Sequence, residues 1–442
     1  LNNASSFRGL NPGYALGELV VVDGNPDEIE VDAKKIYIFE RPPADLKPVA
    51  GIMTVSEGNL VSHVQLLARN LGIPNAALSY DNLKDLKSYH GKKAFYAVSN
   101  KGNLVVKTED DMSSVEKELF SKKERSKDVI EVPVDQIQLN KTQVINMRDV
   151  YAKDSGKFCG PKAANLGELK KMFPDNVVEG LIIPFGIFRA HMDQPMEGKS
   201  KSYWTYLNDT FASAKQMRNS GSTDAEVEAF QLAALDKLHK AIINMSLKPD
   251  FVADIKNQFS KTFGDAIGHV PVFLRSDTNM EDLPQFTGAG LNLTLFNVLD
   301  KQKILDGIKK VWASPYTERS YQWRQQYLEN PEEVYPSILI IPSVNVDKSG
   351  VIITKGVNRG NENDISISFS HGVGGAVEGQ SAESYIVHDN RYIELIAPGR
   401  ETKFRTIPAS GGSTFKFASL SDPVLTFQDV AKLNTMAKSI AQ

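Results

Sequence analysis

Short apolar runs separated by turn residues dominate the first 110 residues of this 442-residue chain. Runs of this kind, bounded by Gly, Pro, Asn and Asp, predict β-strands. The predicted strands are residues 19–22, 35–39, 51–55, 76–78, 93–98 and 103–106. Asn100, Lys101 and Gly102 lie between the last two strands and are typical of a hairpin turn. The pattern therefore predicts a small mixed α/β unit over residues 1–110.

A charged stretch follows this unit. Residues 111–142 are rich in acidic and basic side chains and show no sustained apolar period. Such a composition is typical of a solvated linker. We therefore interpret residues 111–142 as a flexible connection between two domains.

Longer apolar periods return in residues 143–442 and predict a second, larger α/β domain. The predicted elements are a strand and turn at 182–188, a mostly helical stretch at 202–263 with a break at 219–223, an apolar strand at 272–274 and a strand pair around 349–351.

The two ends of the chain carry a prediction of their own. Thr426 with Asp429 three residues later forms a capping-box pattern that opens a last helix. This helix reaches Gln442 without a stop signal, and the chain begins at Leu1 rather than at Met. We therefore expect a fragment of a longer protein whose C-terminal domain is incomplete.

Composition narrows the class of protein. A content of 41% hydrophobic and 24% charged residues is typical of a globular protein with a packed core. No apolar run reaches the roughly 20 residues of a membrane-spanning helix, and a net charge of −3 argues against a broad nucleic-acid or membrane surface. The single cysteine, Cys159, excludes an internal disulfide and fits a reducing compartment, so we expect a cytoplasmic protein.

The residues that lead from Gly58 to Pro74 place a histidine at a helix start. Asn59 or Ser62 can cap the helix, an apolar Leu-rich run follows, and Gly72 and Pro74 end it. His63 then lies in the first turn, where free N–H groups and the helix dipole favour a phosphate on the ring. Two interpretations stay open at this point: a phosphorylated nucleophile or a histidine packed in the core.

Two further stretches carry phosphate chemistry. Gly160 and Pro161 precede Lys162 at a helix start, which brings backbone N–H groups and an ammonium together. Farther on, an apolar strand leads into Arg275 and then into the acidic Glu281 and Asp282. Arginine binds phosphate oxygens, and carboxylates hold the metal that bridges them. A surface lysine and an ion-paired arginine are the alternative interpretations.

The His63 stretch resembles the phosphohistidine swivelling domain of the dikinases, the group that contains phosphoenolpyruvate synthase, pyruvate phosphate dikinase and the glucan water dikinases. The shared residues are Gly-Asn-Leu-Val-Ser-His and, a few positions later, Ala-Arg-Asn-Leu-Gly-Ile-Pro. The surroundings of Lys162 and Arg275 resemble two motifs of the dikinase nucleotide-binding domain, which has an ATP-grasp fold. Three later stretches agree with this domain: residues 311–316, 349–351 and 372–385.

The resemblance implies a role for each of these residues. Lys162 and Arg275 would contact the phosphates of ATP, Glu281 and Asp282 would line the nucleotide site, and His63 would accept the phosphoryl group. ATP and Mg²⁺ are the implied cofactors, and the metal ligands stay unassigned. The implied domains are a phosphohistidine domain at 1–110, a linker at 111–142 and an incomplete ATP-grasp domain at 143–442.

The chain departs from the family pattern at three places. Gly375 stands where the family usually has Glu, and Pro342 stands where a Gln often precedes the Ser-Gly-Val strand. The closing Asp-Ile-Glu-Trp and Gln-x-Arg-Pro motifs do not occur before Gln442. Gly375 and the altered run at 277–279 motivate the hypothesis of a nucleotide-binding or regulatory protein without catalysis.

Domain order favours one branch of the family. The histidine domain precedes the nucleotide domain here, as in the glucan and phosphoglucan water dikinases, which pass the β-phosphate of ATP through the histidine, give the γ-phosphate to water and leave AMP. The leading prediction is therefore a dikinase core with water-dikinase order and an unidentified acceptor, either a glucan or pyruvate. A phosphoenolpyruvate synthase relative with shuffled domains is the enzymatic alternative.

Overall fold

The computed structural model describes most of the 442 residues. The described residues are 7–43, 46–55, 68–69, 72–123, 131–281, 283, 293–318, 320–321, 330–354, 363–374, 382–389, 391–399, 401–419 and 423–442. The chain divides into two compact units. One unit comprises residues 1–127, 345–406 and 414–442, and the other comprises residues 128–344 and 407–413. The sequence predicted domain boundaries near residues 110 and 143. These boundaries, and the type assigned to each domain, stay predictions.

A seven-stranded mixed sheet forms the N-terminal part of the first unit, in the order β1-β5-β4-β3-β2-β6-β7. Its strands are β1 (Phe7–Asn11), β2 (Gly13–Val21), β3 (Ile36–Phe39), β4 (Gly51–Thr54), β5 (Asn75–Leu78), β6 (Lys93–Val98) and β7 (Leu104–Thr108). The four neighbouring strands β5, β4, β3 and β2 pair in parallel, and the other pairs are antiparallel. Helices α1 (Tyr80–Leu86) and α2 (Ser114–Lys123) follow β5 and β7.

The second unit is built on a five-stranded antiparallel sheet in the order β11-β10-β12-β9-β8. Its strands are β8 (Ile145–Asn146), β9 (Leu181–Ile183), β10 (Val272–Thr278), β11 (Thr294–Val298) and β12 (Pro336–Pro342). Its helices are α3 (Pro161–Met172), α4 (Phe185–Met192), α5 (Tyr203–Asn219), α6 (Asp224–Ile243), α7 (Pro249–Phe263) and α8 (Lys301–Ala313). The helices α4 to α8 and the sheet share one apolar core, in which Trp312 and Phe188 are fully buried.

The first unit contains a further four-stranded antiparallel sheet in the order β13-β14-β15-β16, and a separate hairpin β17-β18. The strands are β13 (Lys348–Ile353), β14 (Ile365–His371), β15 (Glu383–His388), β16 (Tyr392–Ala397), β17 (Lys403–Thr406) and β18 (Thr414–Phe417). Helix α9 (Phe427–Ala441) packs its buried Val430 and Ala437 against Ile367 and Tyr385 of this sheet.

Most predicted elements are confirmed. Five of the six early strands appear within two residues of their predicted bounds, Gly102 forms its turn with a φ of 80°, and the capping box of Thr426 and Asp429 opens α9. The strand predicted at 19–22 covers only the end of β2, and β1 was not predicted. The break expected at 219–223 separates α5 from α6. Residues 114–123 of the predicted linker form α2.

Two predicted elements in the second unit were wrong in detail. Residues 185–188 were assigned to a strand and turn, but Phe185–Met192 is a helix. Pro184 precedes it, and the apolar residues that follow are buried on nearly all sides, so their pattern does not distinguish a buried helix from a buried strand. A second break also divides the helical stretch at residues 244–248, between α6 and α7.

In the described part of the chain, no helix combines the length and the apolar character that crossing a membrane requires.

Candidate functional site

The candidate site lies at the carboxyl end of β10, a central strand of the five-stranded sheet. β10 pairs with β12 over its whole length, and Asp277 lies opposite Ser337 in this register. Ser276, Asp277 and Thr278 are buried. The strand therefore delivers Arg275, Ser276 and Asp277 to one fixed position beside the start of α3.

The first turn of α3 is capped by Asp277. The backbone N–H groups of Lys162 and Ala163 donate to the two carboxylate oxygens of Asp277, each over 2.9 Å. The Gly160 N–H donates to Ser337 Oγ over 3.1 Å, and that hydroxyl donates to the Asp277 carbonyl oxygen over 2.5 Å. A helix start normally leaves such N–H groups free, but here protein groups occupy them. The phosphate interaction expected from these N–H groups is therefore not open in this structure.

The Lys162 ammonium extends toward β10 and the turn after it. Its Nζ donates to the Ser276 carbonyl oxygen over 2.7 Å and to Glu281 Oε1 over 3.1 Å. The Glu281 side chain is 7% exposed and the Lys162 side chain 23% exposed. A buried carboxylate requires a partner of this kind, because an unpaired charge away from water is costly. Lys162 and Glu281 thus form a half-buried ion pair.

Burial shifts the pKa of both carboxyl groups upward. The pKa of Asp277 is raised to about 7, first by burial and then by the charge of Glu281, while Lys162 and the two N–H donors oppose the shift. The pKa of Glu281 is also raised by burial, and the Lys162 ammonium and the Arg275 guanidinium act in the opposite direction. The site therefore holds two cationic and two acidic side chains in a dry environment.

Arg275 contributes a buried donor nitrogen to the cluster. Within the described residues its Nε is buried and has no hydrogen-bond partner. A buried donor without an acceptor is unfavourable by about 1–3 kcal/mol. This group is chemically suited to an anionic ligand such as a phosphate.

The turn between Asp277 and Glu281 is fixed by Asn279. Its side chain accepts from the Tyr335 N–H over 2.7 Å and donates to the Glu333 carbonyl over 3.0 Å. The Thr278 hydroxyl accepts from the Met280 N–H over 3.3 Å. The residues that the sequence showed as departures from the family motif thus shape the backbone that carries Glu281.

Sequence reasoning missed the role of Asp277. One signal was present: Gly160-Pro161 begins a helix without a side chain that can cap it, so the cap has to come from elsewhere in the fold. The structure brings Lys162, Arg275 and Glu281 into one electrostatic cluster. His63 and Asp282 lie outside the described residues.

The glycine stretch that begins at Gly372 belongs to the first unit. The Ser349 hydroxyl donates to the Gly372 carbonyl over 2.6 Å and accepts from the Gly374 N–H over 3.0 Å. The Val373 N–H donates to the Arg405 carbonyl over 3.0 Å. These bonds hold residues 372–374 to neighbouring strands, and Gly375 lies outside the described residues.

Metal ligands were left unassigned by the sequence. Across the described ranges, the structure groups no three His, Cys, Asp or Glu side chains as ligands for an ion.

Comparison with known families identifies the class. The family described as "Pyruvate phosphate dikinase, AMP/ATP-binding domain" matches residues 156–442, which is more than half of the chain. The chain therefore belongs to this family, and the predicted dikinase resemblance is confirmed. The match contains Lys162, Arg275 and Glu281, although their individual roles stay predictions.

Curated relatives agree with this class. A rifampicin phosphotransferase from Bacillus cereus is 27% identical over 286 residues, 64% of this chain and 31% of that protein. A probable phosphoenolpyruvate synthase from Pyrococcus horikoshii is 29% identical over 226 residues, 48% of this chain and 28% of that protein. A probable phosphoenolpyruvate synthase from Archaeoglobus fulgidus is 28% identical over 290 residues, 64% of this chain and 36% of that protein. The chain thus spans about a third of the length of these relatives.

Proposed function

We propose that this chain carries the nucleotide-binding and phosphohistidine parts of an ATP-dependent, dikinase-type phosphotransferase. In this proposal residues 143–442 bind ATP, residues 111–142 act as a tether, and residues 1–110 present His63. The histidine accepts the β-phosphoryl group of ATP and passes it to a second acceptor.

One observation carries the proposal. Inside the matched AMP/ATP-binding family region, Lys162 Nζ lies 3.1 Å from a buried Glu281 carboxylate, and the nearby Arg275 has a buried Nε for which the described part of the chain supplies no acceptor. Surface lysines and arginines do not need such a dry setting. Cations of this kind stabilise the charge that develops on phosphate oxygens during phosphoryl transfer.

In the proposal, different residues of the site bind the phosphates and the metal ion. Lys162 and Arg275 would bind phosphate oxygens, and exchange of the Lys162–Glu281 pair for a phosphate contact would release the Glu281 carboxylate. Mg²⁺ prefers one or two carboxylates together with substrate phosphates, and Glu281 fits as one such donor, with Asp282 as the second candidate. When bound, the ion would neutralise charge on the phosphates.

In the proposal the phosphoryl group passes from ATP to His63 and then to the acceptor. A ring nitrogen of His63 attacks the β-phosphorus, the bond to the α-phosphate oxygen breaks, and AMP leaves. The β-phosphorus on the histidine still carries the γ-phosphate at this stage. Water attacks the γ-phosphorus, the bond from that phosphorus to the β-phosphate oxygen breaks, and orthophosphate and a proton leave. The N–P bond of the remaining phosphohistidine later breaks as the phosphoryl group passes to the acceptor. Holding the ring nitrogen in line with the leaving oxygen is the positioning step that a mobile domain supplies.

The proposal also concerns the identity of the phosphate acceptor. Domain order favours water-dikinase chemistry and hence a glucan. The names of the relatives, phosphoenolpyruvate synthase and rifampicin phosphotransferase, favour pyruvate or another small molecule. We place the acceptor site outside the nucleotide cluster and keep glucan and pyruvate as the two candidates.

The test uses the full-length protein and ATP labelled on the β-phosphate. We expect acid-labile label on the wild-type protein and none on His63→Ala, with nucleotide binding retained in the variant. Absence of label in the wild type, when Mg²⁺ is present and ATP binding is measured in parallel, would contradict the enzyme proposal. ATP binding without labelling would favour the regulatory alternative.

A second pair of variants tests the nucleotide site. Lys162→Ala should weaken ATP binding about tenfold or more, because it removes a cation and leaves the Glu281 carboxylate without its partner. Lys170→Met is the matched control: Lys170 lies in the same helix, is buried, and donates to the carbonyls of Pro174 and Val177. The control should lower stability and leave ATP affinity near that of the wild type. Equal losses of ATP affinity in both variants would contradict a specific role of Lys162 in ATP binding.

A further inference from the structure

The start of α3 already holds a carboxyl group of the protein itself. Asp277 is fully buried and accepts from the N–H groups of Lys162 and Ala163 over 2.9 Å each. Pro161 has no N–H, and the Gly160 N–H is bound to Ser337 Oγ over 3.1 Å. Every early donor of this helix is therefore accounted for without a ligand.

The approach of Asp277 depends on a missing side chain. A Cβ atom added at Gly160 would lie 2.4 Å from Asp277 Oδ1 and 2.6 Å from its Cγ. Atoms do not tolerate such distances, and Asp277 belongs to the buried strand β10, which pairs with β12 over its whole length. Gly160 and Asp277 thus form a matched pair, with the glycine making room for the carboxylate.

The Gly160–Asp277 pair fixes the position of Lys162. With its N–H held by Asp277, Lys162 has a set backbone position from which Nζ reaches the Ser276 carbonyl at 2.7 Å and Glu281 at 3.1 Å. Ser276 and Asp277 are consecutive residues of β10, so backbone and side chain of Lys162 are both tied to the same strand.

We propose that Asp277 is a positioning residue of the nucleotide site: its carboxylate occupies the start of α3 in place of a ligand phosphate and so holds the Lys162 ammonium toward Glu281. The inference rests on the proposed function. It adds that phosphate recognition depends on the side chains of Lys162 and Arg275 and excludes the first-turn N–H groups of α3.

The experiment compares Asp277→Ser, Asp277→Asn and the control Thr223→Ala in the full-length protein. Thr223 caps α6, a helix that carries none of the site residues, by accepting from the Glu226 N–H over 3.2 Å. Amide hydrogen exchange of the segment 160–165 and the dissociation constant for ATP are measured for each variant.

We expect Asp277→Ser to speed exchange at Lys162 and Ala163 and to weaken ATP binding about tenfold, since the two hydrogen bonds to the Asp277 side chain are disrupted. Asp277→Asn keeps one acceptor oxygen and should give intermediate values for both quantities. Thr223→Ala should speed exchange only at the start of α6. Unchanged exchange at Lys162, or ATP affinity that stays equal or becomes tighter in Asp277→Ser, would overturn the proposal.

A double-mutant comparison keeps the test independent of folding defects. Gly160→Ala should destabilise the wild type strongly and the Asp277→Ser background less, because the contact of the added Cβ with Asp277 Oδ1 at 2.4 Å is removed while its contact with the Asp277 backbone carbon at 2.8 Å remains. Additive effects would contradict the pairing. If the wild type binds no ATP, the proposed function fails, whereas the exchange data and this comparison still decide whether Asp277 holds the start of α3.

Discussion

At the residue scale, Asp277 departs from the family motif and caps helix α3. In the sequence it is an acidic residue in the run at 277–279, which departs from the family motif. In the structure it caps a helix that has no capping residue of its own and lies beside the Lys162–Glu281 pair. The change in the motif is thus matched by a contact 115 positions away in the sequence.

His191 is a second residue whose environment decides its chemistry. Its Nδ1 lies 2.8 Å from the Ile187 carbonyl oxygen, which only accepts, so Nδ1 carries the proton. The Lys248 N–H donates to Nε2 over 3.1 Å, and the ring packs 4.7 Å from that of Trp312. Both nitrogens are satisfied in the neutral form alone.

This environment predicts a pH dependence of stability. The pKa of His191 is lowered from 6.5 to about 4, mainly by burial; the facing charges are Lys248, which also lowers it, and Asp250, which raises it. Between pH 6.5 and 4 the unfolded chain therefore binds a proton that the folded chain does not. The contribution of His191 is complete above pH 6.5 and falls by about 2 kcal/mol at pH 5.

Chemical denaturation at pH 7.5 and pH 5 measures this effect. His191→Gln should be less stable than the wild type at pH 7.5 and should lose about 2 kcal/mol less on acidification. The same pH dependence in both proteins would show that His191 does not couple folding to protonation.

At the element scale, helix starts are specified in two different ways. Thr223 and Glu226 form a capping box within the sequence of α6, each side chain bound to the backbone N–H of the other. Helix α3 instead begins at Gly160-Pro161 and receives its cap from β10. A capping box such as that of α6 can be predicted from the sequence. The cap of α3 can be recognised only when the position of β10 in the sheet is known.

The local cap can be tested by itself. Thr223→Ala should lower the free energy of unfolding by about 1 kcal/mol, because it leaves the Glu226 N–H without its acceptor. Thermal unfolding with and without ATP measures both stability and ligand effect. We expect the same ATP-induced shift as in the wild type, and a smaller shift would mean that α6 contributes to the nucleotide site.

At the scale of the whole molecule, the family match and the histidine motif lie in different parts of the chain. The AMP/ATP-binding family covers residues 156–442, and the His63 stretch precedes it. The two compact units do not follow this division, since residues 345–406 and 414–442 join the unit that contains residues 1–127.

The proposed domain order yields a prediction about products. If the protein has water-dikinase chemistry, ATP labelled on the γ-phosphate should release labelled orthophosphate, and AMP should form in equal amount. Thin-layer separation of the products from full-length wild type and from His63→Ala measures both. ADP as the nucleotide product, or γ-label retained on the protein, would contradict this order-based prediction.

The sequence by itself determined the periodic elements and the family. Alternating apolar runs, the turn at Gly102 and the capping box at Thr426 depend on neighbours a few residues away, so local chemistry sufficed for them. The ordered motifs around Lys162 and Arg275 similarly indicated a dikinase nucleotide domain, which the family match confirms.

Only the tertiary structure decided what the site residues contact. The helix at Phe185–Met192 is buried on most sides, so its apolar pattern carried no period that separates helix from strand. The capping of α3 by Asp277 and the pairing of Lys162 with Glu281 join residues more than 100 positions apart. Such contacts depend on the strand order of the sheet and on the space left at Gly160, which no local pattern specifies.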